Sequence, residues 1–131
     1  MSTSTASNLK WILWLNTIAE TVIAFGMFSM PANFFPGAEG LSASIARAFS
    51  FAILAVAFIS FSALGASTSF DRLKNVVLIL LVYHVLQLLA QIANGMMYAP
   101  MLIPPVVIHT VLTTLFAIYF MQLKKAEARA V

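Results

Sequence analysis

Four apolar segments, each close to the length that crosses a lipid bilayer, constrain this chain more than any other feature. They cover residues 9–30, 41–64, 76–97 and 102–123, and a helix needs ~20 residues to traverse ~30 Å of hydrocarbon. Of the 131 residues only 8% are charged and 62% are hydrophobic. A water-facing surface calls for about 25% charge, so lipid must be the main solvent. Inside lipid each backbone amide has to find its partner within the span, which these continuous apolar runs do as helices. The sequence therefore predicts a single all-α domain over residues 1–131, an antiparallel four-helix transmembrane bundle in a cell (inner) membrane.

The connectors carry turn chemistry. Residues 30–40, M-P-A-N-F-F-P-G-A-E-G, read as a Pro/Gly loop, 65–74 as a polar loop and 94–100 as a short link. Ser69 or Asp71 is placed to cap the third helix, and Pro104-Pro105 suits the first turn of the fourth. Residues 1–8 read as a short disordered tail. The first span is too long for a signal peptide and has no small-residue cleavage site. Lys10, Arg72, Lys74, Lys124, Lys125 and Arg129 fall on one side of the predicted bundle and no Lys or Arg falls in the loops of the other. That bias puts both termini in the cytoplasm, with Trp11 and Trp14 at the inner interface and Phe34, Phe35 and Tyr98 at the outer one. The chain has no cysteine, which excludes disulfides, thiolate metal sites and thiol redox chemistry, and with them quinone-linked disulfide oxidases and cysteine-based mercury carriers. The net charge of +3 resides at helix ends and forms no stripe for nucleic acid.

Polar residues interrupt every span. On straight helices, Arg47, Gln91 and His109 come roughly 7–11 Å below the outer boundary, Gln87 and Glu20 roughly 13–16 Å, and His84 roughly 18 Å. His84, Gln87, Gln91 and Asn94 step by three, four and three along one helical face; Asn16 and Glu20 share a face, as do His109 and Thr113. Polar faces avoid lipid and should converge. A charge at mid-membrane costs about 2.5–3.5 kcal/mol even on the lenient insertion scale. Arg47 keeps its proton and has a long reach, so the expectation is a Glu20–Arg47 ion pair, with Gln87, Gln91 or His109 completing its hydrogen bonds.

Plainer readings use the same residues. The ion pair can serve only to set helix register, the amides and histidines can be helix–helix glue, and small residues such as Ala48, Ala52 and Ala55 can permit close helix approach. Glu20, His84 and His109 also match a two-histidine, one-carboxylate metal set. Their histidines differ in estimated depth by roughly 7–10 Å, so no metal is expected there. The same gap counts against a bis-histidine haem, unless a kink at Pro104-Pro105 narrows it. Acid–base work by a buried carboxylate beside a histidine is a further option. No serine–histidine–acid order, phosphate loop or HExxH sequence occurs.

The stretch I-A-E-T-V-I-A-F-G-M-F-S-M, residues 18–30, resembles the first helix of small multidrug-resistance exporters, a resemblance that implies a proton- and drug-binding role for Glu20. It covers the first span alone; Arg47, His84, His109 and the one-sided basic bias depart from that family. Over most of its length the chain is similar in layout to small four-span bacterial proteins of the DoxX-like kind. The proline-containing loop M-P-A-N-F-F-P-G (residues 30–37), Arg47 early in the second span and His109 late in the chain carry that likeness. It implies a fold, and a link to quinol oxidation or membrane redox complexes.

The function expected is binding of a small amphipathic or lipid-like molecule, quinone-like or a metabolite, within the bilayer. The pocket would open outward, lined by Asn16, Glu20, Arg47, His84, Gln87, Gln91, Asn94 and His109, and the protein would act alone, as a homo-oligomer or as an accessory subunit of a membrane complex. No resident cofactor is required, although haem or quinone would suit the residues. The alternatives are an intramembrane isomerase or cyclase using Glu20 or His109 as general acid/base, a proton-coupled small transporter, and a purely structural subunit.

Overall fold

The computed structural model describes residues 3–34, 39–65, 68–93 and 103–129. They form α1 (Thr3–Ser29), the single-turn α2 (Pro31–Phe34), α3 (Leu41–Ser62), α4 (Phe70–Ala93) and α5 (Ile103–Ala128), with no strand among the described residues. All four long helices are long and apolar enough to cross a membrane. The 94–100 link lies outside the described residues, and with it Asn94 and Tyr98, as does Phe35.

Two boundaries differ from expectation, and a third falls where one of the two predicted caps puts it. Helix α1 begins at Thr3, so most of the predicted tail continues the helix. Helix α4 begins at Phe70, several residues before the apolar run, because the Ser69 hydroxyl accepts the Arg72 N–H (3.3 Å) and caps its first turn. Helix α5 runs on to Ala128, where Lys74 at the start of α4 pairs with Glu127. Within the predicted 30–40 loop, Pro31 opens the turn of α2, a position that needs no amide donor. That turn folds Phe34 back over α1 at Gly26, where an added Cβ would come 2.8 Å from the Phe34 ring.

The helices associate chiefly as two pairs, α1 with α3 and α4 with α5. Ala43, Ala46, Ser50, Ile53, Ala57 and Ser60 form the buried face of α3, spaced alternately by three and four. So many small side chains let two backbones approach closely. Ser60 Oγ accordingly donates to the Leu13 carbonyl across the interface (2.9 Å). The small residues singled out from sequence, Ala48, Ala52 and Ala55, are exposed instead. Their spacing also describes a stripe, but one displaced by two residues, which is ~200° around the helix.

Two apolar cores result. One contains Leu9, Leu13, Val77, Leu80, Leu112, Phe116 and Leu123; the other contains Ala24, Met27, Ala46 and Ile53. The outer surface is itself apolar, with Trp11, Leu41, Val22 and Phe58 among its most exposed residues. Between the cores, on α1, lie Asn16 and Glu20, both fully buried.

The α1–α3 contact can be tested by size. Ala57→Leu should overpack it and lower stability in detergent by about 1–3 kcal/mol, while Ala55→Leu should change it by less than about 0.5 kcal/mol. Thermal unfolding followed by circular dichroism reads both; equal effects would contradict this helix rotation.

Candidate functional site

Three helices bring polar side chains to one level because each carries them on its inward face. On α1, Leu9, Leu13, Asn16, Glu20, Ala24 and Met27 are buried at steps of three or four, so Asn16 and Glu20 must face inward with them. On α4, Val77, Leu80, His84 and Gln91 are buried, and on α5 His109 precedes buried Leu112 and Phe116.

These faces meet in a connected cluster. His84 Nε2 is 2.6 Å from Asn16 Oδ1, and His84 Nδ1 is 2.8 Å from His109 Nδ1. An amide oxygen only accepts, so His84 donates from Nε2 and offers a lone pair at Nδ1, which accepts the His109 Nδ1–H. Glu20 Oε2 accepts the Tyr83 hydroxyl (3.1 Å). Its other oxygen, Oε1, lies 3.8 Å from His84 Nδ1 and 4.0 Å from His109 Nδ1, an ion pair whenever either imidazole carries an extra proton. The His84 ring also stacks on Phe116 with centroids 5.6 Å apart.

The depth gap that argued against joining the histidines is closed. His84 sits between the levels of His109 and Phe116, two turns apart on α5, hydrogen-bonding one ring and stacking on the other. Depths counted along straight helices leave out the reach of a side chain along the helix axis. Two imidazole rings lying between neighbouring helices span what remained.

The expected Glu20–Arg47 pair does not form. Arg47 is exposed, and its Nε donates to the Phe28 carbonyl (3.3 Å). It follows Ala46, which occupies the buried stripe of α3, and one residue turns a side chain ~100° off that stripe. The Phe28 carbonyl belongs to the last turn of α1, where carbonyls lack helical partners and the helix dipole is negative. A guanidinium is well satisfied there. Glu20 instead finds a phenol and two imidazoles.

Of the other candidates, Gln87 reaches the Tyr83 hydroxyl and Gln91 is buried. Thr113, one turn beyond His109, has a buried hydroxyl. Asn94 falls outside the described residues. Tyr83 is the site residue that sequence reasoning passed over. Its place one turn before Gln87 and beside His84 was the available signal, but a tyrosine in an apolar helix reads first as bulk.

Fold and cluster define an all-helical bundle of membrane-spanning type with a buried carboxylate–imidazole centre. Comparison with known proteins finds no match among family models, curated proteins or solved structures. The geometry therefore carries the functional reading by itself.

Replacing Asn16 by Ala leaves the His84 Nε2–H unpaired in an apolar interior and should cost about 1–3 kcal/mol. Arg47→Gln should change stability by no more than about 0.5 kcal/mol. Unfolding curves showing the reverse order would restore the Glu20–Arg47 pair.

Proposed function

We propose that this is an integral membrane protein whose buried cluster receives the polar end of a small amphipathic or lipid-like guest, quinone-like in having carbonyl or hydroxyl oxygens at one end. One observation carries the reading. Asn16 Nδ2, Glu20 Oε1, Gln91 Oε1 and Thr113 Oγ1 are buried and have no hydrogen-bond partner among the described residues. Each such group costs about 1–3 kcal/mol; their number is the few expected of a native chain of this size, and it is their grouping that is informative. Here they are concentrated on the inward faces that carry Glu20, His84 and His109. An amide N–H, two carbonyl-type oxygens and a hydroxyl offer both donors and acceptors. A guest with one polar end and an apolar body would satisfy them while the bundle surrounds the rest.

The topology proposed is an antiparallel bundle with both termini cytoplasmic. Contacts between opposite ends of paired helices support the first half: Ser60 late in α3 with Leu13 early in α1, Arg47 early in α3 with Phe28 late in α1, and Lys74 with Glu127. The one-sided placement of basic residues supports the second.

Two experiments test this reading. Protein purified in mild detergent should release one small molecule per chain on solvent extraction and mass analysis, and Glu20→Gln should retain at least tenfold less while remaining folded. Wild-type protein that yields nothing beyond bulk lipid would remove the guest. The natural chain lacks cysteine, so a single introduced thiol reports its own side. Glu39→Cys should react with an impermeant maleimide in intact cells, and Arg129→Cys only after permeabilisation; the opposite pattern would invert the topology.

A further inference from the structure

We infer that Glu20, His84 and His109 form a binding site for a divalent first-row transition ion, zinc in class. The inference goes beyond the guest reading, uses part of the same cluster and can fail without it. It begins from the unpartnered oxygen Glu20 Oε1. At 3.8 and 4.0 Å from the two Nδ1 atoms, it is too far for a hydrogen bond to either. Two ligands of one tetrahedral ion with ~2.0–2.1 Å bonds stand about 3.3–3.4 Å apart, so a shift of about half an ångström would bring this oxygen into a shared coordination shell.

The three distances settle whether one ion would fit. Sides of 2.8, 3.8 and 4.0 Å define a triangle whose corners are all about 2.1 Å from a point in their own plane, the length of zinc–nitrogen and zinc–oxygen bonds; a tetrahedral shell further requires the two Nδ1 atoms to part toward ~3.3 Å, which replacing the hydrogen bond between them by an ion allows. The residues need only small shifts to become ligands.

The surrounding hydrogen bonds hold them in the required state. Ligating histidines usually donate their other N–H to a neighbouring acceptor, which orients the ring and fixes the tautomer. Asn16 Oδ1 does this for His84 at 2.6 Å, leaving at Nδ1 the lone pair that accepts the His109 N–H until an ion takes that proton's place. Tyr83 occupies Glu20 Oε2 and leaves Oε1 for the ion. The proton balance is simple: the hydrogen on His109 Nδ1 gives way to the metal, and the neutral ring carries its proton on Nε2. One carboxylate and two neutral imidazoles leave a dication with net charge +1.

The donor set suits zinc or ferrous iron, and the absence of sulfur disfavours cuprous copper. Three protein ligands leave a coordination position open, as in metal sites that bind a further molecule. An oxygen at the polar end of the guest would be of the right chemistry to occupy it.

The test uses Zn2+ alone on the full chain in detergent, after chelator treatment and delipidation. Calorimetric titration and elemental analysis should give one zinc per chain, and zinc should raise the unfolding temperature. Glu20→Gln, His84→Gln and His109→Gln should each weaken binding at least 100-fold. Asn16→Ala and Tyr83→Phe should weaken it about 10–100-fold through ligand orientation. Should the histidine variants not fold, Co2+ added to wild-type protein supplies the readout: visible d–d bands, abolished by competing Zn2+. Folded wild-type protein that binds no zinc and gives no cobalt bands overturns the site. So does zinc binding that survives in a folded His84→Gln/His109→Gln double variant, which would mark adventitious surface binding. Extraction of the guest from metal-free protein separates the two readings, because a retained guest with no zinc affinity removes the metal alone.

Discussion

A carboxylate inside an apolar helical bundle must be given partners, and the rest of this structure is arranged around how Glu20 obtains them. Ionised and unaccompanied at mid-membrane, an acidic group costs about 2.5–3.5 kcal/mol on the mildest scale. The bundle supplies the Tyr83 hydroxyl to one oxygen and places two imidazoles before the other. Those contacts join α1, α4 and α5, and the Asn16–His84–His109 chain joins the same three helices. A slip of one residue in any of them would turn its polar groups away and leave the others buried alone. The cluster therefore fixes register as well as chemistry, whichever ligand it serves.

Helix α3 contributes in a different way. It brings no side chain to the cluster; its small-residue face presses on α1, and Ser60 hydrogen-bonds the Leu13 carbonyl. That packing holds the helix bearing Asn16 and Glu20 while leaving its inward face toward α4 and α5. Arg47 is directed to the carbonyl end of α1. Removing the arginine from the centre leaves the carboxylate available to imidazole nitrogens, and that is what makes a nitrogen–oxygen ligand set geometrically accessible.

The guest and metal proposals arise from different aspects of one centre. Unpartnered amide, carbonyl and hydroxyl groups point to an organic polar end, whereas the triangle of Glu20 and two histidines points to an ion. The two are compatible, because an incompletely coordinated ion and a guest oxygen are complementary. Both proposals rest on the side-chain constellation and not on likeness to any family.

Much of the architecture was legible in the sequence, since hydrophobic length and helical periodicity are local. They determine the four helices long and apolar enough to cross a membrane, a cap at Ser69 or Asp71, and the inward pairing of Asn16 with Glu20, of His84 with Gln91 and of His109 with Thr113. Periodicity states which way a side chain points about its own axis. It does not state how far one helix is rotated or shifted against the next. Those quantities follow from the fit of surfaces such as the small-residue stripe of α3, which a displaced stripe of alanines mimics in sequence. Only the tertiary structure could therefore decide that Arg47 turns outward, that two histidines of unequal predicted depth touch, and that Tyr83 joins them at Glu20.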